Sequence, residues 1–419
     1  MQTLIRNISS LVTVNCRGGL YKSGSEMQDI GEIKNGAILF GDRLEWVGTN
    51  AEADKMLKKK AFLPAKIIEA DGKTIMPGFV DSHTHIVFGG NRSHEFGKRL
   101  RGATYQEIAA EGGGIQTTVK GTRAASIKQL AQNGNALAIE ALKHGTTTIE
   151  IKSGYGLATD AELRQLKAIA KLKGEVPLRI KATFLGAHDF PPEYKSNKDK
   201  YVDIVCKEMI PAVAGEGLAE FCDAFIDEGY YTLKQGEKIL RAGLDYGMKL
   251  KVHCDELAQF GSAELAAGLG AISADHLLFV SDKGIEAMRN SGTVATLLPG
   301  TAYFIRMPFA PARKIIDSGV ITALASDFNP GSCFTGNMQL IMSFAAISMK
   351  MTAEECIGAA TINGAHALGM SDVTGSLEAG KAADFVIYDV PTYLDIFYRF
   401  GINHVESVWI GGKEVHRVT

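Results

Sequence analysis

The feature that most constrains this chain is an alternation of two patterns. From Pro77 onward, short apolar runs rich in β-formers take turns with stretches whose apolar residues recur at three- and four-residue spacing. The runs fall at 78–81, 146–151, 178–185, 221–226, 249–252, 271–274, 293–298 and 321–325, with helical stretches such as 160–173, 232–246, 282–290 and 308–318 among them. Eight such units predict an α/β fold, a (β/α)8 barrel of the TIM type spanning residues 76–374. The chain carries 46 glycines in 419 residues, above the average share of about 7%. They are spread along the chain, which implies many short connections.

The flanks read differently. Residues 1–75 carry short alternating strands at 11–14, 36–40, 44–47 and 66–69 with Gly/Asp turns, and 384–388 and 407–410 repeat the pattern at the other end. Residues 1–75 and 375–419 are therefore expected to pair as one composite β-sandwich domain. The basic run at 58–60 reads as a solvated helix end.

Several function classes are excluded by composition. With 45 Lys+Arg against 47 Asp+Glu, the formal charge of −2 supplies no basic field for a polyanion, so no nucleic-acid partner is expected. The six cysteines are far apart and form no CxxC pair, which argues against both a disulfide framework and a structural zinc knuckle. Together with an N-terminal segment that reads as a strand, this makes the cytoplasm the expected location. The uncharged stretch 328–349 has an apolar part, from Met338, too short for the roughly 20 residues that cross a bilayer, so no membrane association is expected.

In barrels of this kind chemistry sits where strands end at their C-terminal side. Of ten histidines, five answer that test: His83, His85, His188, His253 and His276. His83 and His85 are two apart, so on extended backbone both imidazoles face one side and two nitrogens can hold one ion. Alone, the pair also reads as ordinary loop residues. Joined to His253 after the fifth strand and Asp327 after the eighth, it makes three imidazoles and one carboxylate, a set that suits one Zn²⁺ per chain, or iron as a second candidate. A water at the remaining position is the expected nucleophile. Glu256, three residues beyond His253, is placed to shuttle protons, although Asp255 and Glu256 also read as caps of the Ala-rich stretch that follows. His276 reads either as a group that orients water or polarises a carbonyl, or as a hydrogen-bonded core histidine. The loop Lys152-Ser153-Gly154-Tyr155-Gly156 allows close approach to a ligand, with a plain turn as its alternative. Gly112 to Gly114 lack the context of a dinucleotide fingerprint, and no P-loop occurs.

The segments MPGFVDSHTH at 76–85, SDFNPGS at 326–332 and GSLEAGKAADFVIYD at 375–389 resemble the amidohydrolase superfamily. Within it, HIVFGGNRSHEFGKRLRGATYQEIAAEGGGIQTTV at 85–119, KSGYGL at 152–157, GAHDFPPEY at 186–194 and SADHL at 273–277 are similar to the imidazolonepropionase family, over nearly the whole chain. The resemblance implies a zinc- or iron-dependent ring opening of 4-imidazolone-5-propanoate to N-formimino-L-glutamate, in histidine degradation, by a homodimer. It implies metal ligation by His83, His85, His253 and Asp327. It places substrate contacts at Arg92, Tyr155, His188, Glu256, Asn329, Gly331 and Ser332, and a water-orienting role at His276. Two positions depart from the family pattern: Ser82 stands where a proline is common, and Cys254 where a small alanine is usual. Strand four ends Phe225-Ile226-Asp227-Glu228 without a lysine, so the carbamylated lysine of two-metal members has no candidate there and one metal is expected.

Two rival readings remain at this level. A one-metal deaminase of a nucleobase or cyclic amidine would use the same ligand set; Arg92 discriminates, because a neutral nucleobase offers no carboxylate to a guanidinium whereas a propionate does. Arg92 itself reads alternatively as a solvent-exposed side chain paired with Glu95. A catalytically silent barrel used as a scaffold would be expected to have lost ligands, and none is missing.

Overall fold

The computed structural model describes every residue except 1, 62, 104–106, 109–111 and 419, so six residues of the 85–119 motif lie outside the described ones. Strands β1 (Thr3–Val12), β2 (Glu32–Phe40), β3 (Leu44–Thr49), β4 (Lys66–Glu69) and β5 (Thr74–Pro77) come first. Eight more follow: β6 (Phe79–Asp81), β7 (Thr146–Lys152), β8 (Arg179–Ala187), β9 (Phe221–Ile226), β10 (Lys249–Cys254), β11 (Ser273–His276), β12 (Val294–Leu297) and β13 (Thr322–Leu324). The chain ends with β14 (Phe385–Tyr388), β15 (Val405–Ile410) and β16 (Lys413–Arg417).

Strands β6 to β13 form one sheet in chain order, every neighbouring pair parallel. All eight expected runs are therefore barrel strands. In β7, Thr-Thr-Thr-Ile-Glu-Ile-Lys, all seven residues are buried, as expected of a strand with one face on the barrel interior and the other under helices. The barrel closes just beyond the strand ends. Asp327 N–H donates to His83 O at 3.0 Å, His85 N–H to Phe328 O at 2.9 Å, and Thr84 bridges Phe328 in parallel register. The closing seam is thus built from the two segments that carry candidate metal ligands.

Helices Thr159–Leu172, Leu233–Asp245 and Asp282–Ser291 occupy expected positions. The second is started by a capping box in which the Thr232 side chain accepts from Gln235 N–H, satisfying an otherwise orphaned donor. The expected helix at 308–318 is shorter, Ala312–Asp317, because Pro308 and Pro311 supply no amide hydrogen to carry helical bonding back to 308.

The chain ends share a second sheet, ordered β16-β15-β14-β5-β1-β2-β3 with β4 also on β1. Strand β14 pairs antiparallel with β5, which joins the C-terminal strands to the N-terminal ones. The two layers of the expected sandwich are therefore continuous, a single sheet curled around Ile5, Ile8, Leu11, Ile38, Phe385 and Trp409. Phe40 packs edge-on to Phe385 at 5.1 Å between centroids, and Phe385 stacks on Trp409 at 5.5 Å. Curling brings Gly412 so close to Gly41 that a Cβ at 412 would lie 1.7 Å from Gly41 O, and φ at 412 is +70°, so only glycine fits. Two strands escape the sequence pattern. β5 is separated from β6 only by Gly78, so both merge into one apolar run, and β16, Lys-Glu-Val-His-Arg, has no apolar alternation to detect. β1 runs from Thr3, and its end comes before Val14, whose φ of 51° leaves the extended region. Arg179 at the start of β8 forks onto Asp384, beside β14, at 2.6 and 3.0 Å, tying the barrel to the terminal sheet. Among the described residues no helix is long and apolar enough to cross a membrane.

Candidate active site

His83 and His85 stand directly after β6 with Thr84 pinned between them: its hydroxyl donates to Glu150 O at 2.6 Å and its N–H to Glu150 Oε2 at 3.2 Å. That clamp holds the extended backbone on which both imidazoles face the same way. Their Nε2 atoms are 3.2 Å apart. Two ligand nitrogens of a tetrahedral ion with bonds of about 2.0–2.1 Å are separated by roughly 3.3 Å, so the spacing fits a shared cation. His253, from the end of β10, completes a buried group whose ligand atoms all lie within 4.8 Å of one another. Asp327, just beyond β13, places Oδ1 3.5 Å from His85 Nε2 and 3.7 Å from His83 Nε2. Its backbone sits at φ 52°, and its other oxygen accepts the Thr301 hydroxyl.

The imidazoles are oriented from behind by two aspartates that the sequence patterns did not reveal. His83 Nδ1 lies 2.6 Å from Asp275 Oδ2 and His253 Nδ1 3.1 Å from Asp223 Oδ1. A carboxylate at Nδ1 keeps the proton there and turns the Nε2 lone pair towards the cleft, the tautomer a metal requires. His253 Nε2 is buried with no hydrogen-bond partner among the described residues, a costly state that a bound cation relieves. Burial, with Lys152 next in effect, holds His83 well below the ordinary imidazole pKa, and burial and neighbouring imidazoles do the same for His85 and His276. Burial and then His253 lower His188 to about 3. All four are neutral near pH 7, the form that ligates. These residues fit a divalent metal ion.

Ten of the expected site residues line a single cleft above this group: His85, Arg92, Tyr155, His188, His253, Glu256, His276, Asp327, Asn329 and Ser332. His83 lies beneath it, wholly buried. His188 stacks on His85 at 5.1 Å between centroids, and its Nδ1 lies 3.0 Å from Gly154 O. Tyr155 packs against both rings. Its loop is held by the buried Glu162 carboxylate, which accepts N–H from Gly154, Gly156 and Leu157.

Asp255 and Glu256 have separate roles. Asp255, at φ 46°, turns its carboxylate to the amides of Ser262 and Ala263, both at 3.3 Å, and so caps the helix Ser262–Gly268. Glu256 points into the cleft, with Oε2 3.6 Å from His276 Nε2, and Asp227 anchors its backbone N–H at 2.6 Å. Burial, with Asp327 and Asp227 nearby, pushes the Glu256 carboxyl well above the usual range, which makes its carboxylate a stronger base towards a water held beside it. Burial also raises Asp327 to about 6, against the hydrogen bond from Thr301.

Arg92 does pair with Glu95, at 2.8 Å through Nε, yet it is only 7% exposed. Glu95 in turn accepts the Thr117 hydroxyl and Gly114 N–H, which links the pair to the end of the triple glycine, where Gly114 opens the helix Ile115–Ala124. The other edge of the guanidinium lies against Gly331, where a Cβ would stand 2.0 Å from Nη1. Gly331 therefore makes room for Arg92. Asn329 spends its amide on the turn, donating to Asp327 O at 2.7 Å and accepting from Gly331 and Ser332 N–H at 2.8 Å.

An amidohydrolase family model matches residues 74–415. The chain is 47% identical over 412 residues to an imidazolonepropionase of Shouchella clausii, covering 98% of this chain and 92% of that one. It is 46% identical to an imidazolonepropionase of Geobacillus kaustophilus, at 98% and 97% coverage. Solved structures with the same fold include an adenosine deaminase from Xanthomonas campestris with bound zinc, at TM-score 0.71 and 21% identity over 98% of this chain and 92% of that one. Guanine deaminase from E. coli superposes at TM-score 0.74 and 16% identity, with both chains fully covered. The deaminases speak for the fold, whereas the sequence relatives match at more than twice the identity. The chain belongs to the amidohydrolase family and, within it, to the imidazolonepropionases.

Proposed function

We propose that this chain opens the ring of 4-imidazolone-5-propanoate by hydrolysis to N-formimino-L-glutamate, with His83, His85, His253 and Asp327 holding one Zn²⁺ or iron ion. The observation that carries the reading is a buried guanidinium, Arg92, in the same cleft as the three-histidine group, Glu256 and His276. A cationic fork selects a substrate with a carboxylate, which the propionate supplies and a neutral nucleobase does not.

A divalent ion bound there supplies Lewis acidity, polarising the ring carbonyl and acidifying water. The chain does the rest. Arg92 anchors the propionate, and His188 and Tyr155 pack against the ring. His276 Nε2 is buried without a hydrogen-bond partner among the described residues and faces Glu256, which suits it to hold the carbonyl oxygen or the attacking water in line. Glu256 takes a proton from the water as the oxygen adds to the carbonyl carbon. It returns that proton to the ring nitrogen as the C–N bond breaks, so one water is consumed and no ammonia leaves.

Incubation of purified protein with freshly made imidazolone propanoate should yield formiminoglutamate by mass spectrometry. Cytosine, guanine and adenosine should release no ammonia. Ammonia from any of these, with no ring opening of the imidazolone, replaces this reading with a deaminase.

A further inference from the structure

Beneath the cleft the barrel holds a layer of acidic and basic side chains that the proposed chemistry does not touch: Glu150 and Lys152 on β7, Asp223 on β9, Lys251 on β10 and Asp275 on β11, all wholly buried. Lys152 is at its centre. Its Nζ lies 2.7 Å from Glu150 Oε1, 2.9 Å from Asp223 Oδ2 and 3.9 Å from Asp275 Oδ2. Two of those carboxylates hold a candidate ligand each, and the third holds the backbone between two ligands. Asp275 holds His83 Nδ1, Asp223 holds His253 Nδ1, and Glu150 accepts Thr84 N–H between His83 and His85. The backbone of Lys152 joins in, its N–H donating to Thr84 O at 2.9 Å.

We infer that Lys152 is a positioning residue, a single ammonium that ties together the supports of His83 and His253 and of the backbone between His83 and His85, and so sets the affinity of the site for its metal ion. The inference rests on the metal reading of His83, His85 and His253. Three buried carboxylates facing one another repel unless a cation stands between them. Without Lys152 they separate, and an aspartate that rotates away no longer directs Nδ1–H and the Nε2 lone pair. Geometry distinguishes Lys152 from Lys251, which is equally buried in the same layer. Lys251 donates to Ser273 Oγ at 2.7 Å and reaches only Asp275, at 3.7 Å. A generic need for buried positive charge would apply to both lysines, whereas the tie applies to Lys152 alone.

The test is the Zn²⁺ dissociation constant of the full chain, measured by competition with a chromogenic chelator, for wild type, Lys152→Met and Lys251→Met, with near-UV circular dichroism of each metal-free protein as the check on folding. Lys152→Met should bind Zn²⁺ about 10–100-fold more weakly, the usual loss on removing an outer support, and Lys251→Met should stay within about 3-fold of wild type. A folded Lys152→Met that binds within about 3-fold of wild type overturns the inference, as does a Lys251→Met loss of equal size. Wild type that binds no Zn²⁺ overturns it together with the metal reading, whereas tight wild-type binding with an indifferent Lys152→Met removes this inference alone. If Lys152→Met does not fold, Asp223→Asn, Asp275→Asn and their double variant replace it. A shared tie predicts a combined loss smaller than the product of the two single losses, and a combined loss equal to the product overturns it.

Discussion

The layer under the cleft and the core of the terminal sheet are buried to the same degree and built from opposite chemistry. In the terminal sheet, Phe40, Phe385 and Trp409 meet ring to ring, surrounded by Ile5, Ile8, Leu11 and Ile38. In the barrel, the same depth is filled by Glu150, Lys152, Asp223, Lys251 and Asp275. Burial stabilises the first, at about 25 cal/mol per Å² of apolar surface removed from water. It costs free energy in the second, where mutual attraction offsets desolvation only when every partner is in place. Around Lys152 three carboxyl groups face one amine, and Asp327 stands above them beside the imidazoles, so acidic groups outnumber basic ones where a cation would sit. The pKa directions agree. Burial would raise Asp223, yet His253 and Lys152 hold it well below the carboxylate range; burial would lower Lys152, yet Asp223 and Glu150 raise it.

That contrast can be broken by separating activity from stability. The largest effect is expected from Asp327→Ala and His253→Ala, which remove a side chain proposed to hold the metal and should abolish turnover, with metal content falling from an expected level of about one ion per chain. Elemental analysis beside an assay checks this, and two ions per chain, or full activity in either variant, ends the one-metal scheme. Next comes Glu256→Gln, which fills the same volume without exchanging protons. It should keep its metal and lose about 10²–10⁴-fold in kcat, and a variant that loses its metal instead would make Glu256 part of the ligand set.

Arg92→Ala should keep the metal as well, and lose about 30- to several-thousand-fold in kcat/KM, or roughly 2–5 kcal/mol, because the propionate is left desolvated without its partner. An imidazolone without the propionate should react poorly with wild type and be indifferent to the substitution. Equal kcat/KM on the full substrate for wild type and variant would return the nucleobase reading. The smallest effect on activity is expected from Phe385→Ala. It should lower the unfolding free energy by about 3–5 kcal/mol through the cavity left between Phe40 and Trp409, while kcat per folded molecule stays within about 2-fold of wild type. A large fall in kcat there would show that the terminal sheet acts on the site, and the fork of Arg179 on Asp384 is where that coupling would pass.

Much of this was legible from local pattern. Most of the eight runs mark the barrel strands because β-branched and apolar residues suit a strand buried on both faces, although β7 buries polar side chains at five of its seven positions. The pair His83 and His85 announces itself because a spacing of two places side chains on one face of extended backbone. The asymmetry between Asp255 and Glu256 was not legible. Both precede the helix Ser262–Gly268, and only the left-handed φ of Asp255 decides which carboxylate turns to the helix amides and which to the cleft. Asp223 did carry a signal, a charge in the middle of an apolar strand, but that signal does not say what the charge is for, and Asp275, in Ser-Ala-Asp-His, carried none.

What the sequence by itself determined is the inventory: which segments are strands and helices, which histidines stand at strand ends, and that the ends of the chain differ in kind from its middle. These follow from periodicity, a property of neighbours along the chain. What only the tertiary structure decided is pairing. Asp275 reaches His83 across 192 positions, Lys152 stands between carboxylates of three strands, and Arg92 is buried against Gly331. Those contacts depend on how far each strand is staggered against the next and on where the barrel closes. Sheet register is set by the packing of all eight units at once, so no local window of residues contains it.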